Sequence, residues 1–313
     1  MRDSMKFLVV SSVLLFLSAT QADEPLRNWT SSDGRNLEGR FIKGTDTAVT
    51  LKLKDGRQVD VPLERLAEGD AKIARDLVAR GAMEGQRQAG LTSGPYADHL
   101  TGEWEKMTAE DGLQFHFFAD KKLKADKQYP LCIYLHGSSN TGSGLEKREP
   151  GANGFADAAI YGKNPSFVIA PEAPAGTKSF KEISARIYAL IEHLTAHLPV
   201  DRDRIYVTGY SMGGMGSWAL IAGRPELFAA AAPIGGPLGG TKVEELPKIP
   251  IWLHFGELDR GDEFLGLAKQ LQETNPAFKS TEYPGADHVG FHFKVAKDPA
   301  FYEWLFTQKR GGQ

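Results

Sequence analysis

The sequence predicts an α/β fold with a mostly parallel sheet and helices on both faces, preceded by a small all-β module. Two observations carry this prediction. From about residue 98 onward, short apolar runs typical of buried strands alternate with longer stretches of helical period. Before that, short segments of alternating polarity are separated by Asp-Gly pairs, which predicts hairpins. A chain of 313 residues is long enough for two such domains.

The hairpin pattern of the first part is clearest around Asp55–Gly56. Residues 48–54 place every second apolar side chain on one face, and residues 57–63 alternate again after the Asp-Gly pair. Together with an earlier run of the same kind, these short strands predict a small barrel over residues 24–78. Residues 79–97 are rich in Gly, Gln and Ser without a sustained period, so they are predicted to form a linker.

The apolar runs of the second part are predicted strands. They are GLQFHFF, a candidate antiparallel first strand, and then PLCIYLHG, SFVIAPE, RIYVTGY, AAAAPIG and IPIWLHFG. Between SFVIAPE and RIYVTGY, apolar side chains recur at three- and four-residue intervals over residues 180–198, which predicts a helix. Residues 98–310 are therefore predicted to form one α/β domain.

The first 22 residues predict a secretory signal peptide. Basic residues precede the apolar run FLVVSSVLLFL, which is too short to span a bilayer, and small residues lead to a cleavage site after about Ala22. We therefore expect a secreted or periplasmic protein without a stable membrane span. The net charge of −3, from 37 basic and 40 acidic side chains, favours no interaction with nucleic acid.

The segment GYSMGG, Gly209–Gly214, carries the pattern G-x-S-x-G between a predicted strand and a predicted helix. A tight turn between such elements holds its serine in a strained conformation, with the hydroxyl exposed above the sheet edge. We predict that Ser211 is a nucleophile; the alternative is a structural turn. The helix after it is predicted to bury one side, formed by Met215, Trp218, Ala219 and Ala222.

A serine nucleophile needs a general base. Where the serine lies on a strand-to-helix turn, the chain order is serine, acid, histidine, so the base must follow Ser211. His288, in a loop after the strand-like STEYPG, is the predicted base, and His292 is the alternative. His254 lies inside the predicted strand IWLHFG and is expected to be a core or strand-end residue.

The same chain order limits the candidates for the acid, and the need for two N–H donors limits those for the oxyanion site. Asp259, directly after the strand IWLHFG, is the predicted acid, with Glu257 and Asp262 as alternatives. An oxyanion site needs two N–H donors. Met212 follows the nucleophile and should supply one; Ser138, in the loop after CIYLHG, is the candidate for the other.

The last two-thirds of the chain resemble the α/β-hydrolase family, and within it the polyhydroxybutyrate-depolymerase and feruloyl-esterase-like carboxylesterases. The segments that carry the resemblance are, in order, PLCIYLHGSSNTGSGLEK, VIAPEAP, VDRDRIYVTGYSMGGMGSW, PIGG, HFGELD and YPGADH. The resemblance implies an esterase with Ser211 as nucleophile, Asp259 as acid and His288 as base. It also implies that Ser138 and Met212 donate to the oxyanion.

The first part of the chain resembles the Sla homology domain family, a compact SH3-like barrel. The segments WTSSDGRNLEGRFI, VTLKLKDGRQVDVPLERL and AEGDAKIARDL carry this resemblance. In eukaryotic adaptors the family binds short peptide motifs, so the resemblance implies a peptide or surface ligand for residues 24–78. The alternative is a spacer that binds nothing.

Taken together, the sequence predicts a secreted serine esterase that hydrolyses small or polymer-attached carboxylic esters through an acyl-enzyme. No ligand pattern indicates a metal or a cofactor. A serine peptidase or a thioesterase would use the same three side chains. A non-catalytic binding protein with a vestigial hydrolase domain is the alternative from another class.

Overall fold

The computed structural model describes residues 24–311, which form two compact units divided between Gly85 and Gln86. We call residues 24–85 the smaller unit and residues 86–311 the larger unit. The predicted signal peptide, residues 1–22, lies outside the described residues. Within the described part of the chain, no helix is both long enough and apolar enough to cross a membrane.

The smaller unit contains a four-stranded antiparallel sheet in the order β1-β2-β3-β4. Its strands are β1 Arg27–Thr30, β2 Asn36–Gly44, β3 Ala48–Leu53 and β4 Gln58–Pro62. The β3–β4 hairpin turns at Asp55–Gly56, where the alternation of the sequence predicts it. A 3₁₀ turn, Leu63–Arg65, and helix α1, Glu68–Ala89, follow.

One side of this sheet and one side of α1 share a core. Trp29 is 1% exposed, and its indole N–H donates to the carbonyl of Gly39 at 3.0 Å, so the one polar atom of the side chain is satisfied. The buried apolar residues are Trp29, Phe41, Val49, Leu51, Leu63, Leu66, Ala71, Ala74 and Leu77. An isolated antiparallel bridge pairs Ser31 with Leu66 beyond the ends of the strands.

Much of the predicted linker has regular or buried structure. Helix α1 continues to Ala89, because Ala, Met, Glu, Gln and Arg are strong helix formers and outweigh the glycines among them. Tyr96 is 3% exposed and packs in the core of the larger unit, with its ring centroid 5.4 Å from that of Phe117. Residues 79–97 therefore do not form the unstructured linker that the sequence predicts. The larger unit begins at Gln86 and not at the predicted residue 98.

The larger unit is built on an eight-stranded sheet in the order β12-β11-β10-β9-β7-β8-β6-β5. Strand β6 is antiparallel to both neighbours, and the other pairs are parallel, which confirms the predicted mostly parallel sheet. The strands are β5 Thr101–Thr108, β6 Gln114–Asp120, β7 Tyr129–Leu135, β8 Phe167–Pro171, β9 Val200–Tyr210, β10 Ala230–Ile234, β11 Ile251–Gly256 and β12 Phe278–Tyr283.

Helices cover both faces of this sheet, as predicted. Helices α4, α5 and α6 share one apolar cluster with the sheet, while α2, α3, α7 and α8 share the other. They are α2 Pro150–Phe155, α3 Ala158–Lys163, α4 Ser184–His197, α5 Met212–Gly223, α6 Gly261–Thr274, α7 His288–Lys297 and α8 Pro299–Thr307. Short 3₁₀ turns occupy Ala97–His99, Ser138–Asn140, Phe180–Ile183, Pro225–Leu227 and Val243–Glu245.

The carboxyl ends of the parallel strands define one edge of the sheet. Strands β7, β9, β11 and β12 all end there because they run in the same direction. Ligands of open α/β sheets bind outside this edge. Every residue predicted to act in the site follows one of these four strands.

Candidate functional site

Ser211 lies between the last residue of β9 and the first residue of α5. Its backbone has φ 57° and ψ −113°, a conformation that costs energy for any residue with a side chain. The turn is packed closely on β7: a Cβ at Gly213 would lie 1.9 Å from the carbonyl oxygen of Leu135, and one at Gly209 would lie 2.5 Å from it. The two glycines are thus required for the close approach that presents Ser211.

A line of hydrogen bonds joins the predicted nucleophile, base and acid. Nε2 of His288 is 2.9 Å from Oγ of Ser211, and Nδ1 of the same ring is 2.6 Å from Oδ2 of Asp259. Because a carboxylate only accepts, the Nδ1–H of His288 donates to Asp259, and Nε2 is left to accept the serine proton. The Asp259 side chain is 11% exposed and that of His288 39%.

The alternative histidines lie elsewhere. His254 is buried in β11, its Nδ1 is 3.1 Å from the hydroxyl of Tyr283, and burial lowers its pKa to about 3. His292 is on α7, and its Nε2 is 3.1 Å from the hydroxyl of Tyr134. Burial, with a smaller effect from His288, lowers the pKa of His292 to about 4. His292 is therefore a neutral, buried side chain near pH 7.

The alternative carboxylates have other partners. Oε2 of Glu257 accepts the N–H of Gly285 at 2.7 Å. Asp262 lies in the first turn of α6, where a negative charge is favourable. Asp259 is thus the one of the three candidate acids that contacts the His288 ring.

The loop after β7, which contains Ser138, contacts the start of α5 through Thr141. Ser138 opens a 3₁₀ turn and Met212 opens α5, so neither N–H has a partner within its own helix. The hydroxyl of Thr141, which ends the loop's turn, is 4.0 Å from the sulfur of Met212. The two predicted oxyanion donors are therefore carried by segments in contact.

Buried polar side chains hold this loop. Nδ1–H of His136 donates to the carbonyl of Gly137 at 2.7 Å, and Oε1 of Glu149 accepts the N–H of Gly137 at 3.2 Å. Burial lowers the pKa of His136 and raises that of Glu149. The carboxylate of Glu172 accepts from the backbone and hydroxyl donors of the loop's far side, Ser143, Gly144 and Leu145.

Comparison with known proteins supports the assignment of the fold. The sequence model of the Dienelactone hydrolase family matches residues 168–302. A solved thermostable esterase is 29% identical and superposes with a TM-score of 0.59 over 66% of this chain and 63% of that one. The larger unit has the α/β-hydrolase fold of esterases. We therefore call it the hydrolase unit.

Two curated proteins are similar to parts of the chain. NocK of Nocardia uniformis subsp. tsuyamanensis, described as an esterase, is 28% identical over 200 residues, which are 61% of this chain and 58% of that protein. Poly(3-hydroxyalkanoate) depolymerase C of Paucimonas lemoignei is 29% identical over 123 residues, 34% of this chain and 28% of that protein. The chain thus spans less than two-thirds of either relative.

Tyr210 is a residue of the hydrolase unit's site that the sequence did not indicate. Its ring stacks on His292, with centroids 3.8 Å apart and planes 5° from parallel, and its hydroxyl donates to the carbonyl of His288 at 3.1 Å. Burial and neighbouring carboxylates raise its pKa to about 12, so it stays a donor at neutral pH. Tyr210 thereby ties the start of α7 to β9, the strand that ends directly before Ser211.

The described residues also bear on metal binding. Within residues 24–311, no three His, Cys, Asp or Glu side chains come together as a set of metal ligands.

Proposed function

We propose that the hydrolase unit is a serine esterase with Ser211 as nucleophile, His288 as general base and Asp259 as the acid that orients it. The observation that carries the proposal is the hydrogen-bonded line from Asp259 through His288 to Ser211, with distances of 2.6 and 2.9 Å. Both distances are within the reach that proton transfer requires. The similarity to esterases over most of the hydrolase unit supports the same chemistry.

In the proposed mechanism, Oγ of Ser211 attacks the ester carbonyl while Nε2 of His288 takes its proton. Asp259 holds the ring in the tautomer that can accept this proton, and it stabilises the imidazolium that forms. The imidazolium then protonates the leaving alcohol as the tetrahedral intermediate collapses to an acyl-enzyme. Water, deprotonated by the same nitrogen, attacks the acyl-enzyme and releases the carboxylic acid with restored Ser211.

The carbonyl oxygen becomes an anion in both steps, and we propose that the N–H groups of Ser138 and Met212 receive it. Two observations support this proposal: the loop after β7 contacts the start of α5, and neither N–H has a partner within its own helix. Preorganised donors of this kind lower the barrier because they bind the charge that develops in the transition state.

The proposed substrates are carboxylic esters, either small or attached to a polymer. Support comes from the relatives: NocK is described as an esterase, and another relative is a poly(3-hydroxyalkanoate) depolymerase. A peptidase or a thioesterase would use the same three side chains, and a panel of aryl esters, thioesters and anilides compared by kcat/KM separates these classes.

We further propose that the smaller unit is an SH3-like barrel that positions the enzyme through a peptide or surface ligand, and that residues 1–22 direct export. The sequential order of its four strands and the Ser31–Leu66 bridge support a curled, compact sheet. Mature N-terminal sequencing after expression with the leader tests the export proposal, since cleavage should expose Asp23 or a near neighbour.

The deciding experiment combines a fluorophosphonate probe with hydrolysis of p-nitrophenyl acetate. The wild-type protein should be labelled and active, and Ser211→Ala should be unlabelled and slower by about 10⁴-fold or more, with the same circular dichroism. A wild-type protein that neither reacts with the probe nor hydrolyses the ester would identify a vestigial hydrolase domain. Hydrolysis by Ser211→Ala at the wild-type rate would refute the mechanism.

A further inference from the structure

Glu149 is a buried carboxylate beside the candidate site that the proposed chemistry does not use. Its side chain is 10% exposed, and it directly precedes α2. Burial raises the pKa of its carboxyl, and the N–H of Gly137 lowers it. Because a carboxylate removed from water is costly, its presence next to a candidate site suggests a functional reason.

The partner of Glu149 is the residue before Ser138. The N–H of Gly137 donates to Glu149, while the carbonyl of Gly137 accepts from Nδ1 of His136 at 2.7 Å and from the N–H of Asn140 at 3.1 Å. In a trans peptide the C=O and N–H groups point in opposite directions. The Glu149 contact fixes the peptide between His136 and Gly137, and the two contacts to the Gly137 carbonyl fix the next peptide. This next peptide carries the Ser138 N–H, so its direction is set by these contacts.

Glu149 also faces the residues around the serine. Its Oε2 is 3.8 Å from Nε2 of His292, whose ring stacks on Tyr210. A Cβ at Gly137 would lie 3.1 Å from Cδ1 of Tyr210 and 3.4 Å from Oε1 of Glu149. The backbone of Gly137 is therefore confined between an aromatic ring and the carboxylate that holds its N–H.

We propose that Glu149 is a positioning residue for the oxyanion site: Oε1 holds the N–H of Gly137 and so fixes the peptide next to the one that carries the Ser138 N–H. The inference rests on the proposed function, because it requires an oxyanion to form near Ser138. What matters is the reach of the acceptor to Gly137, not the charge. Loss of that contact should slow the chemical step without weakening substrate binding, because the oxyanion exists only beyond the ground state.

Two conservative substitutions separate reach from charge. Glu149→Gln keeps an oxygen at full reach and removes the charge, whereas Glu149→Asp keeps the charge and withdraws it by one methylene. We expect Glu149→Asp to lower kcat on p-nitrophenyl acetate by about 10- to 100-fold, somewhat less than deletion of an oxyanion donor. Its KM should change by less than about threefold, and Glu149→Gln should keep kcat within about threefold.

A double-substitution cycle tests the route through Ser138. Ser138→Pro removes the N–H with little change of backbone, because Ser138 opens a 3₁₀ turn and Gly137 before it is extended, with φ −71° and ψ 165°. In this background Glu149→Asp should lower kcat/KM by less than about twofold, since the N–H through which it acts is gone. Asp157→Ala, which removes the side-chain cap of α3, is the control for destabilisation alone and should lower Tm but not kcat.

Wild type and Ser211→Ala are measured alongside, so that two failures can be told apart. If the wild type does not hydrolyse the ester, the proposed function fails and this inference fails with it. If the wild type is active, three results overturn the inference alone: full kcat in Glu149→Asp, a loss above about tenfold in folded Glu149→Gln, or an equal loss from Glu149→Asp in both backgrounds. Should Glu149→Asp not fold, Glu149→Ala takes its place in the same cycle.

Discussion

Nδ1 of His288 lies 2.6 Å from Oδ2 of Asp259, a contact between residues that follow two neighbouring strands, β12 and β11. Asp259→Asn should keep the fold but lower kcat by about 10⁴-fold, because an amide no longer enforces the tautomer in which Nε2 accepts. Turnover of p-nitrophenyl acetate together with circular dichroism checks this. A folded variant within about tenfold of wild type would show that another carboxylate orients the ring.

The two histidines of α7 should differ in their effect. His288→Ala should lower kcat by about 10⁴-fold, because among the described residues no other imidazole bonds Ser211. His292→Ala should lower it by no more than about tenfold, because its Nε2 bonds Tyr134 instead. Steady-state kinetics of both purified variants provide the comparison, and a larger loss in His292→Ala would reverse the assignment of the base.

Gly213→Ala should disrupt the serine turn. The new Cβ would lie 1.9 Å from a backbone oxygen of β7, so the turn must shift, at a cost of about 1–3 kcal/mol and with loss of activity. The matched control is Gly266→Ala in α6, where a Cβ meets nothing within 4 Å and should stabilise the helix by up to about 1 kcal/mol. Urea unfolding measures both changes, and equal stability of the two variants would contradict the packing described.

Acid should destabilise the protein partly through His254. Its folded pKa of about 3 lies below the value of 6.5 for a free side chain, so the unfolded state takes up a proton first as pH falls. This contribution to stability is present above pH 6.5 and decreases below it, by about 2 kcal/mol between pH 7 and pH 5.

His254→Phe should therefore reduce the difference in unfolding free energy between pH 7 and pH 5 by about that amount. Urea titrations of wild type and variant at the two pH values measure it. A variant with an unchanged pH difference would mean that His254 does not remain neutral in the folded state.

A chain that starts at Gln86 should fold and keep kcat/KM on p-nitrophenyl acetate within about tenfold of the full-length value, or about 1.4 kcal/mol. A chain that starts at Ala97 loses Tyr96, whose hydroxyl is 2.7 Å from Nδ1 of His193, and should be less stable by about 3 kcal/mol. Thermal unfolding and kinetics of the two chains test this. If the chain that starts at Gln86 loses more than about tenfold in kcat/KM, the smaller unit shapes the active site.

The buried strands could be predicted because a strand that is buried on both faces is apolar at every position. Every residue of β7, β8 and β10 is buried, so each is a continuous apolar run. Strand β5 was missed because it is an edge strand whose residues are exposed or half-buried, and its sequence TGEWEKMT is mostly polar.

Helix α5 was predicted only in part. Of the four side chains expected to form its buried side, Trp218 is fully buried, whereas the other three are half-buried. The helix instead buries small residues: Gly214 allows β10 to approach closely, and Gly216 allows β7 and the turn at Phe180 to do so. A single-sided pattern cannot describe a helix packed on several sides.

That Ser211, Asp259 and His288 come together could be expected from the strand-to-helix motif and from the strand ends after it. Glu149 could not, since it lies in the charged stretch LEKREPG, which has the composition of an exposed loop. Its contact with Gly137 exists only because the fold brings the start of α2 beside the end of β7. Buried polar side chains of this kind are set by tertiary contacts that no local pattern records.

The groups of the site come from different places along the chain, with a consequence for biosynthesis. Ser211 and both predicted oxyanion donors follow β7 and β9, at the middle of the sheet, whereas Asp259 and His288 follow its last two strands. A nascent chain that has emerged only as far as β10 contains the serine but neither the acid nor the base that would activate it. Under the proposed chemistry, chains that have not yet been synthesised through α7 cannot hydrolyse esters, because His288 begins that helix.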